Sequence, residues 1–496
     1  MNKTDKQKVL NVFDGDTSVM DFLNPDNAPY TPLIEIPKNL NPYHSKGVRV
    51  FAKMMGALPL ANVKSLPALN MLLEAKENGA LENIDTVIEN SSGNTVLSLA
   101  VIARLFGINK TKAVVSHEVT KGKLNLLRFL GTEIIVNEEP ICPDPNDKTS
   151  GIYKSKQWAK ENNWFNPGQY DNEDNPNAHY RWTAPQIWEQ TKGKIDVLSV
   201  GLGTTGSVVG LGTYLKKKKE EISIIGVSRI VNNPVPGVRT NNLLKEIAFD
   251  WNSNVDYQEE VGTVESFRLS LELCRAGILA GPSSGFALKG LFNYLEKQDF
   301  TDTKEKIAVF ISPDSPLPYI DEYFEFLDKE DFPSIENEYL LEIKEEFLPP
   351  QSRKNKKDEI QEVGTEEAFQ IFFDRPREKV WNMLGQKKDI YLTKGLQIID
   401  IRNGGEFEDH HIPNAINVPY YELDEYLKKN KRKLKKQKSV LFVCLHGNTS
   451  RLASYKAQML GIKAINLKGG DTEWSRLNYP RMRADKCVNK YGDSHF

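Results

Sequence analysis

The sequence predicts an α/β protein built on parallel strands, followed by a second, smaller α/β domain. Three observations carry this. From about residue 47 to 325, short β-branched runs alternate with amphipathic helical patterns, the rhythm of strand–helix–strand units. Three motifs rich in glycine and hydroxyls, Ser91–Thr95, Gly201–Ser207 and Gly281–Gly285, stand where a strand or turn runs into a helix. The alternation stops near residue 330, and another α/β pattern follows a charged stretch. A chain of 496 residues also exceeds one ordinary core.

The elements follow in order. Pro67 suits the first turn of a helix through Leu69, Leu72 and Leu73 to Gly79. Ile84–Glu89 reads as a strand, and Val96–Phe106 as an apolar helix stopped by Gly107. Thr111–Ser116 is a strand, Lys121–Leu130 a helix, and Glu133–Val136 a strand again. Residues 140 to 180 hold many Pro, Asn and Asp residues and predict a long surface excursion. Ile195–Val200 is a buried strand, followed by a glycine loop and a helix through Tyr214 and Leu215; Phe286–Leu295 is a further helix.

Pro349-Pro350 and Arg353–Lys357 mark a charged linker at 346–366, dividing a first domain at 1–345 from a second at 367–490. The second has strands at Leu396–Asp400 and Ser439–Val443. The basic run Lys428–Lys438 lacks interleaved aromatics and follows an acidic helix start, which favours a solvated helix face over a nucleic-acid patch.

Composition excludes some classes. A net charge of −2 with 27% charged residues argues for neither a nucleic-acid nor an anionic-membrane partner. Met1–Lys6 leads into no apolar run, so no signal peptide is expected. No apolar stretch reaches the roughly 18 residues of a membrane span. Cys142, Cys274, Cys444 and Cys487 are widely spaced, the pattern of reduced thiols in a cytoplasmic protein, and no close pair suggests a metal.

The motifs carry the chemistry. Lys64 stands directly before a helix, where burial favours a nucleophilic amine; a surface lysine beside a cap is the plainer reading. The backbone of Ser91, Ser92, Gly93 and Thr95 at a helix start suits an anion such as a substrate carboxylate, although ordinary capping explains the residue types nearly as well. Gly203, Thr204, Thr205, Gly206 and Ser207 form a cradle of amides and hydroxyls suited to phosphate. The loop also satisfies a dinucleotide spacing, but the next strand runs into Ser228-Arg229 where that fingerprint needs an acid.

Together these features supply what pyridoxal 5'-phosphate requires. Lys64 would bond its aldehyde, the Gly203–Ser207 loop would hold its phosphate, and Asn94 would hold its ring hydroxyl. If Ser283 faces the pyridine nitrogen, a hydroxyl there leaves that nitrogen largely unprotonated. Such a sink supports loss of a β leaving group and disfavours transamination.

Here the chain resembles the cysteine synthase and cystathionine β-synthase family. The likeness lies in Thr31-Pro32-Leu33, Val63-Lys64, Ser92-Gly93-Asn94-Thr95, Leu127-Arg128 with Gly131, Gly203-Thr204, Ser283-Ser284-Gly285 and Pro313-Asp314-Ser315. It covers about residues 28 to 325. It implies the two-lobed parallel-sheet fold of type II (tryptophan synthase beta-like) pyridoxal-phosphate enzymes, a homodimer, and Lys64 as cofactor lysine and general base at Cα. Departures are Ser65-Leu66 after the lysine, the apolar Leu58–Ala61 approach, and Thr205 in place of a glycine. A β-branched residue resists positive φ, so a different loop geometry is expected.

Ser439–Val443 delivers Cys444 to the loop Leu445–Ser450, ahead of a helix from Arg451. A thiol so placed suits a nucleophile; a buried cysteine ending a strand is the bland alternative. Ile398–Arg402, Glu406-Phe407, His411–Asn417 and Gly469-Gly470 with Trp474 resemble a rhodanese domain, which implies a persulfide on Cys444. Thr449 replaces that family's loop arginine, and Arg451 comes one position later. The expected function is β-elimination or β-replacement on cysteine or an O-activated serine, coupled to sulfur transfer through Cys444. The alternative is a serine/threonine dehydratase carrying a non-catalytic rhodanese module.

Overall fold

The structure is a computed structural model that describes residues 11–117, 119–138, 147–300, 305–336 and 360–483. Backbone contacts divide the chain into two compact units, at Phe332/Pro333.

The first unit holds two sheets. Six strands lie in the order β1 (Leu33–Glu35), β2 (Val48–Met54), β9 (Lys306–Ser312), β6 (Ile195–Gly201), β7 (Ser223–Arg229), β8 (Tyr257–Val261). Only β1 pairs antiparallel in this sheet. A smaller parallel sheet runs β3 (Thr86–Asn90), β4 (Lys110–Ser116), β5 (Glu133–Asn137). Six of the seven residues of β9 are buried, as a central parallel strand covered on both faces requires. The helix Pro282–Glu296 shows why packing rather than capping decides these elements. Its N-cap Gly281 makes no side-chain cap, whereas Phe286, Leu288, Leu291 and Leu295 are all buried. At roughly 2 kcal/mol per side chain, those four outweigh the ~1 kcal/mol of a good cap.

Residues 140 to 180 depart from expectation. Residues 139–146 lie outside the described residues, but Gly151–Asn162 and Asp174–Ala178 are α-helices and His179–Thr183 is a π-helical turn. Several polar side chains of the stretch are buried and bonded to backbone carbonyls: Asn175 Nδ2 donates to Gln169 O at 2.7 Å, and Gln169 Nε2 to Asn90 O at 3.1 Å. Composition that reads as a solvated loop is here held inside by specific partners.

The second unit has a five-stranded parallel sheet in the order β10 (Gln361–Val363), β14 (Ala464–Leu467), β13 (Ser439–Val443), β11 (Leu396–Asp400), β12 (Ala415–Asn417). Of the stretch 346–366 assigned to the linker, 346–359 lie outside the described residues. Residues 360–366 are not linker: they form β10 and the start of the helix Thr365–Phe373, because Ile360 and Val363 reach the core. The basic run lies in and just after the helix Leu423–Leu434, which buries Leu423, Leu427 and Leu434 and leaves most of its lysines in water. Among the described residues, no helix is long and apolar enough to cross a membrane.

Candidate active site

Lys64 is placed by the loop that follows β9. Val63 N donates to Pro313 O at 2.7 Å, and Asn62 bridges to Asp314. The side chain lies at the start of the helix Ser65–Glu77 and faces a cleft of about 640 Å³, in the size range of a small-molecule site. Its Nζ donates to Thr204 Oγ1 at 3.0 Å. Burial, and secondarily the charge of Arg239, pull the Lys64 ammonium down from 10.5 to about 8. A neutral amine is thus accessible near physiological pH.

The glycine loop after β6 forms one wall. A Cβ on Gly203 would fall 2.1 Å from Gly237 O, so only glycine fits there. Thr205 takes φ +67° itself, at the N-terminus of the helix Gly206–Lys218. The branched residue accepts the left-handed conformation that it resists, at a cost of about 1–2 kcal/mol. Three hydroxyls converge on the loop. Thr204 Oγ1 accepts from both Lys64 and Asn175 Nδ2 (3.2 Å), which leaves its own proton to donate. Thr205 Oγ1 is buried with no partner. Ser207 Oγ lies 3.0 Å from His179 Nε2. An orphaned buried hydroxyl, a second with a free proton and a helix N-terminus form a donor set that fits a phosphate.

The opposite wall is polar. Asn94, at the start of the helix Asn94–Leu105, donates Nδ2 to Asp314 Oδ2 at 2.6 Å. Tyr319 donates to the same oxygen at 2.6 Å, while Asp314 Oδ1 is buried without a partner. Burial raises the Asp314 carboxyl to about 6, against the lowering effect of those two donors. Ser283, second residue of the helix Pro282–Glu296, lines the same cleft. Ser91, Ser92, Gly93 and Thr95 line it too. Nothing lies within 4 Å of a Cβ built on Gly93, so the open side of that residue is the cleft itself. Thr95 is buried and donates its hydroxyl to Gln169 Oε1 at 2.7 Å.

The candidate cofactor and substrate residues of the first domain therefore line, or directly adjoin, one cleft. Sequence reasoning missed Gln169, Tyr170, Asn175, His179 and Arg239. The first four lie in the stretch whose composition reads as an excursion. Arg239, whose Nη2 donates to Tyr170 Oη at 2.6 Å, follows no recognisable motif.

In the second unit, Cys444 is 6% exposed, and its Sγ accepts from Gly447 N at 3.1 Å and Ser450 Oγ at 3.2 Å. Gly470, at φ +57°, seals the loop: a Cβ there would meet Cys444 O at 2.4 Å. Arg451 Nε lies 3.8 Å from Glu362 on β10 and makes no hydrogen bond, and Thr449 is exposed. Cys274 is part-buried in the first unit, and Cys142 and Cys487 lie outside the described residues.

Comparison with known proteins agrees with this geometry. Residues 26–314 match the family described as "Pyridoxal-phosphate dependent enzyme", and residues 377–477 match "Rhodanese-like domain". The chain is 31% identical to cysteine synthase B of Escherichia coli (strain K12) over 268 residues, 52% of this chain and 83% of that protein. It is 30% identical to cysteine synthase B of Salmonella typhimurium (strain LT2) over 262 residues, with the same coverage. Among solved structures, a hydrogen sulfide-producing enzyme from Fusobacterium nucleatum superposes with a TM-score of 0.53 at 27% identity, covering 62% of this chain and 99% of that one. An O-acetylserine dependent cystathionine beta-synthase from Helicobacter pylori gives 0.52 at 26% identity, covering 59% and 95%. The chain accordingly belongs to the pyridoxal-phosphate dependent enzymes, of fold type II, and carries a rhodanese-like domain after its cofactor-binding body.

Proposed function

We propose that the first unit catalyses β-elimination or β-replacement on cysteine or an O-activated serine, and that Cys444 carries sulfane sulfur as a persulfide, which an external thiol attacks to release sulfide for that unit as a disulfide forms. The observation that carries the first part is the buried amine of Lys64, its pKa lowered to about 8, beside a cradle with an unpartnered hydroxyl on Thr205. Pyridoxal phosphate, when bound, supplies the electron sink that lets an amino acid lose its α-proton. Thr204, Thr205 and Ser207 would hold the phosphate, and Ser283, which lines the cleft, would offer the ring nitrogen a hydroxyl. Asn94 keeps a second Nδ2 proton for the ring hydroxyl while Asp314 fixes its orientation. Ser91, Ser92 and the amides at the start of the helix Asn94–Leu105 take the substrate carboxylate, and Thr95 steadies this wall through Gln169. Lys64 removes the α-proton and returns it.

For the second unit, two hydrogen-bond donors on the Cys444 sulfur suit a persulfide there. A tether raises the effective concentration of one site at the other. Thr449 stands where the family's loop arginine would, and Arg451 makes only a long 3.8 Å approach to Glu362, which favours the competing reading of a non-catalytic module.

The test is the visible absorbance of purified protein and of Lys64→Ala, with cysteine, serine and O-acetylserine added in turn. A band that depends on Lys64 and changes with cysteine or O-acetylserine supports the reading. Keto acid formed from serine or threonine, without sulfide chemistry, favours the dehydratase. A protein that stays colourless after incubation with pyridoxal phosphate sinks the assignment. Sulfur flux unchanged in Cys444→Ala removes the chemical role of that thiol.

A further inference from the structure

The three hydroxyls of the phosphate loop are not equivalent. The protons of Thr204 and Thr205 are free to point into the cleft, but Ser207 shares a hydrogen bond of 3.0 Å with His179 Nε2. The direction of that bond decides what Ser207 offers an anion. His179 is completely buried, and its other nitrogen, Nδ1, lies 3.0 Å from Thr183 Oγ1. The packing is built to bring the ring here. The π-helical turn His179–Thr183 lies against the helix Gly206–Lys218, whose Gly210 admits it: a Cβ at Gly210 would fall 2.1 Å from Pro176 O and 2.9 Å from His179 Cβ.

A neutral imidazole carries one proton, on either nitrogen. With the proton on Nδ1, Nε2 is an acceptor; Ser207 must then donate to the ring and shows the cleft only lone pairs, which repel phosphate. With the proton on Nε2, the ring donates to Ser207, the serine proton turns into the cleft, and Thr183 donates to Nδ1. An imidazolium would also donate from Nε2, but burial, and secondarily the charge of Lys64, push this group down to about 3.

We propose that His179 is a positioning residue, held as the neutral Nε2–H tautomer, that turns the Ser207 hydroxyl proton toward the cofactor phosphate. The inference rests on the reading of Gly203–Ser207 as the phosphate site.

The experiment uses full-length holoprotein labelled with [15N]histidine, with the His179 signals identified by their absence from His179→Gln. The expected result is an N–H-type resonance for Nε2 and a bare-nitrogen resonance for Nδ1, unchanged across the neutral pH range. The opposite tautomer, or an imidazolium, overturns the proposal while leaving the cofactor site intact. Cofactor titration of apoprotein gives a second readout. Ser207→Ala is expected to weaken pyridoxal phosphate binding about tenfold, the scale of one hydrogen bond to a charged group. His179→Gln, whose amide N–H replaces the donor, stays within about twofold of wild type, and in a His179→Leu background the Ser207→Ala loss shrinks. An undiminished loss in that background overturns the positioning role. A protein that binds no pyridoxal phosphate overturns the site assignment and this inference together.

Discussion

At the scale of single residues, the site trades conformational comfort for chemistry. Thr205 occupies φ +67° with its hydroxyl buried and unpartnered. Thr205→Gly is therefore expected to stabilise the apoprotein by about 1 kcal/mol, seen as a raised melting temperature, while weakening cofactor affinity about tenfold. Two gains, or two losses, would show that the hydroxyl has no anion to serve. Lys64 makes a second case. Only its neutral form attacks an aldehyde, so the rate of cofactor capture by apoprotein should rise with pH and level off above about 8, where an ordinary lysine would still be climbing toward 10.5. Stopped-flow mixing at several pH values measures this, and a midpoint near 10.5 would refute the buried-amine argument. Both residues were legible in the sequence because each belongs to a local motif. His179 and Gln169 were not, since what marks them is a partner far along the chain.

At the scale of elements, β2 holds the least expected residue. Lys53 is fully buried in this strand, and its Nζ donates to Thr31 O, Gln186 Oε1 and Gln190 Oε1, each at 2.8 Å. All three acceptors are neutral, and burial lowers the ammonium from 10.5 to about 7. Between those values the unfolded chain binds a proton that the native state does not. Stability should then rise with pH through that window, and the full penalty should apply below about 7. In Lys53→Met, urea midpoints measured across the window should show a shallower slope; an unchanged slope would assign the dependence elsewhere. A strand containing lysine looks half-exposed from sequence, and only the coverage of both sheet faces puts Lys53 inside. The described part of the stretch 140 to 180 was misread for the same kind of reason. Its Pro, Asn and Asp residues lower local helix propensity, but tertiary hydrogen bonds such as Asn175 to Gln169 O override it.

At the scale of the molecule, each unit has its own core. Trp474, with no exposed surface, anchors the second among Phe369, Phe373 and Tyr479, and its Nε1 donates to Pro480 O at 2.9 Å. Trp474→Ala should cost that unit about 3–5 kcal/mol. Hydrogen exchange should localise the loss to residues 360–483, while the absorbance band that depends on Lys64 persists; loss of that band would show that the units do not fold independently. The sequence by itself determined the α/β class, two folding bodies, the lysine, the glycine loop and the cysteine loop. Those follow from periodicity and from motifs short enough to act through their own backbone. Tertiary structure alone decided that Thr205 takes a left-handed conformation, that Arg451 stands 3.8 Å from Glu362, and that His179 stands behind Ser207. Each of these depends on which groups the fold brings within about 3–4 Å, and hydrogen bonds and ion pairs lose their meaning beyond that range.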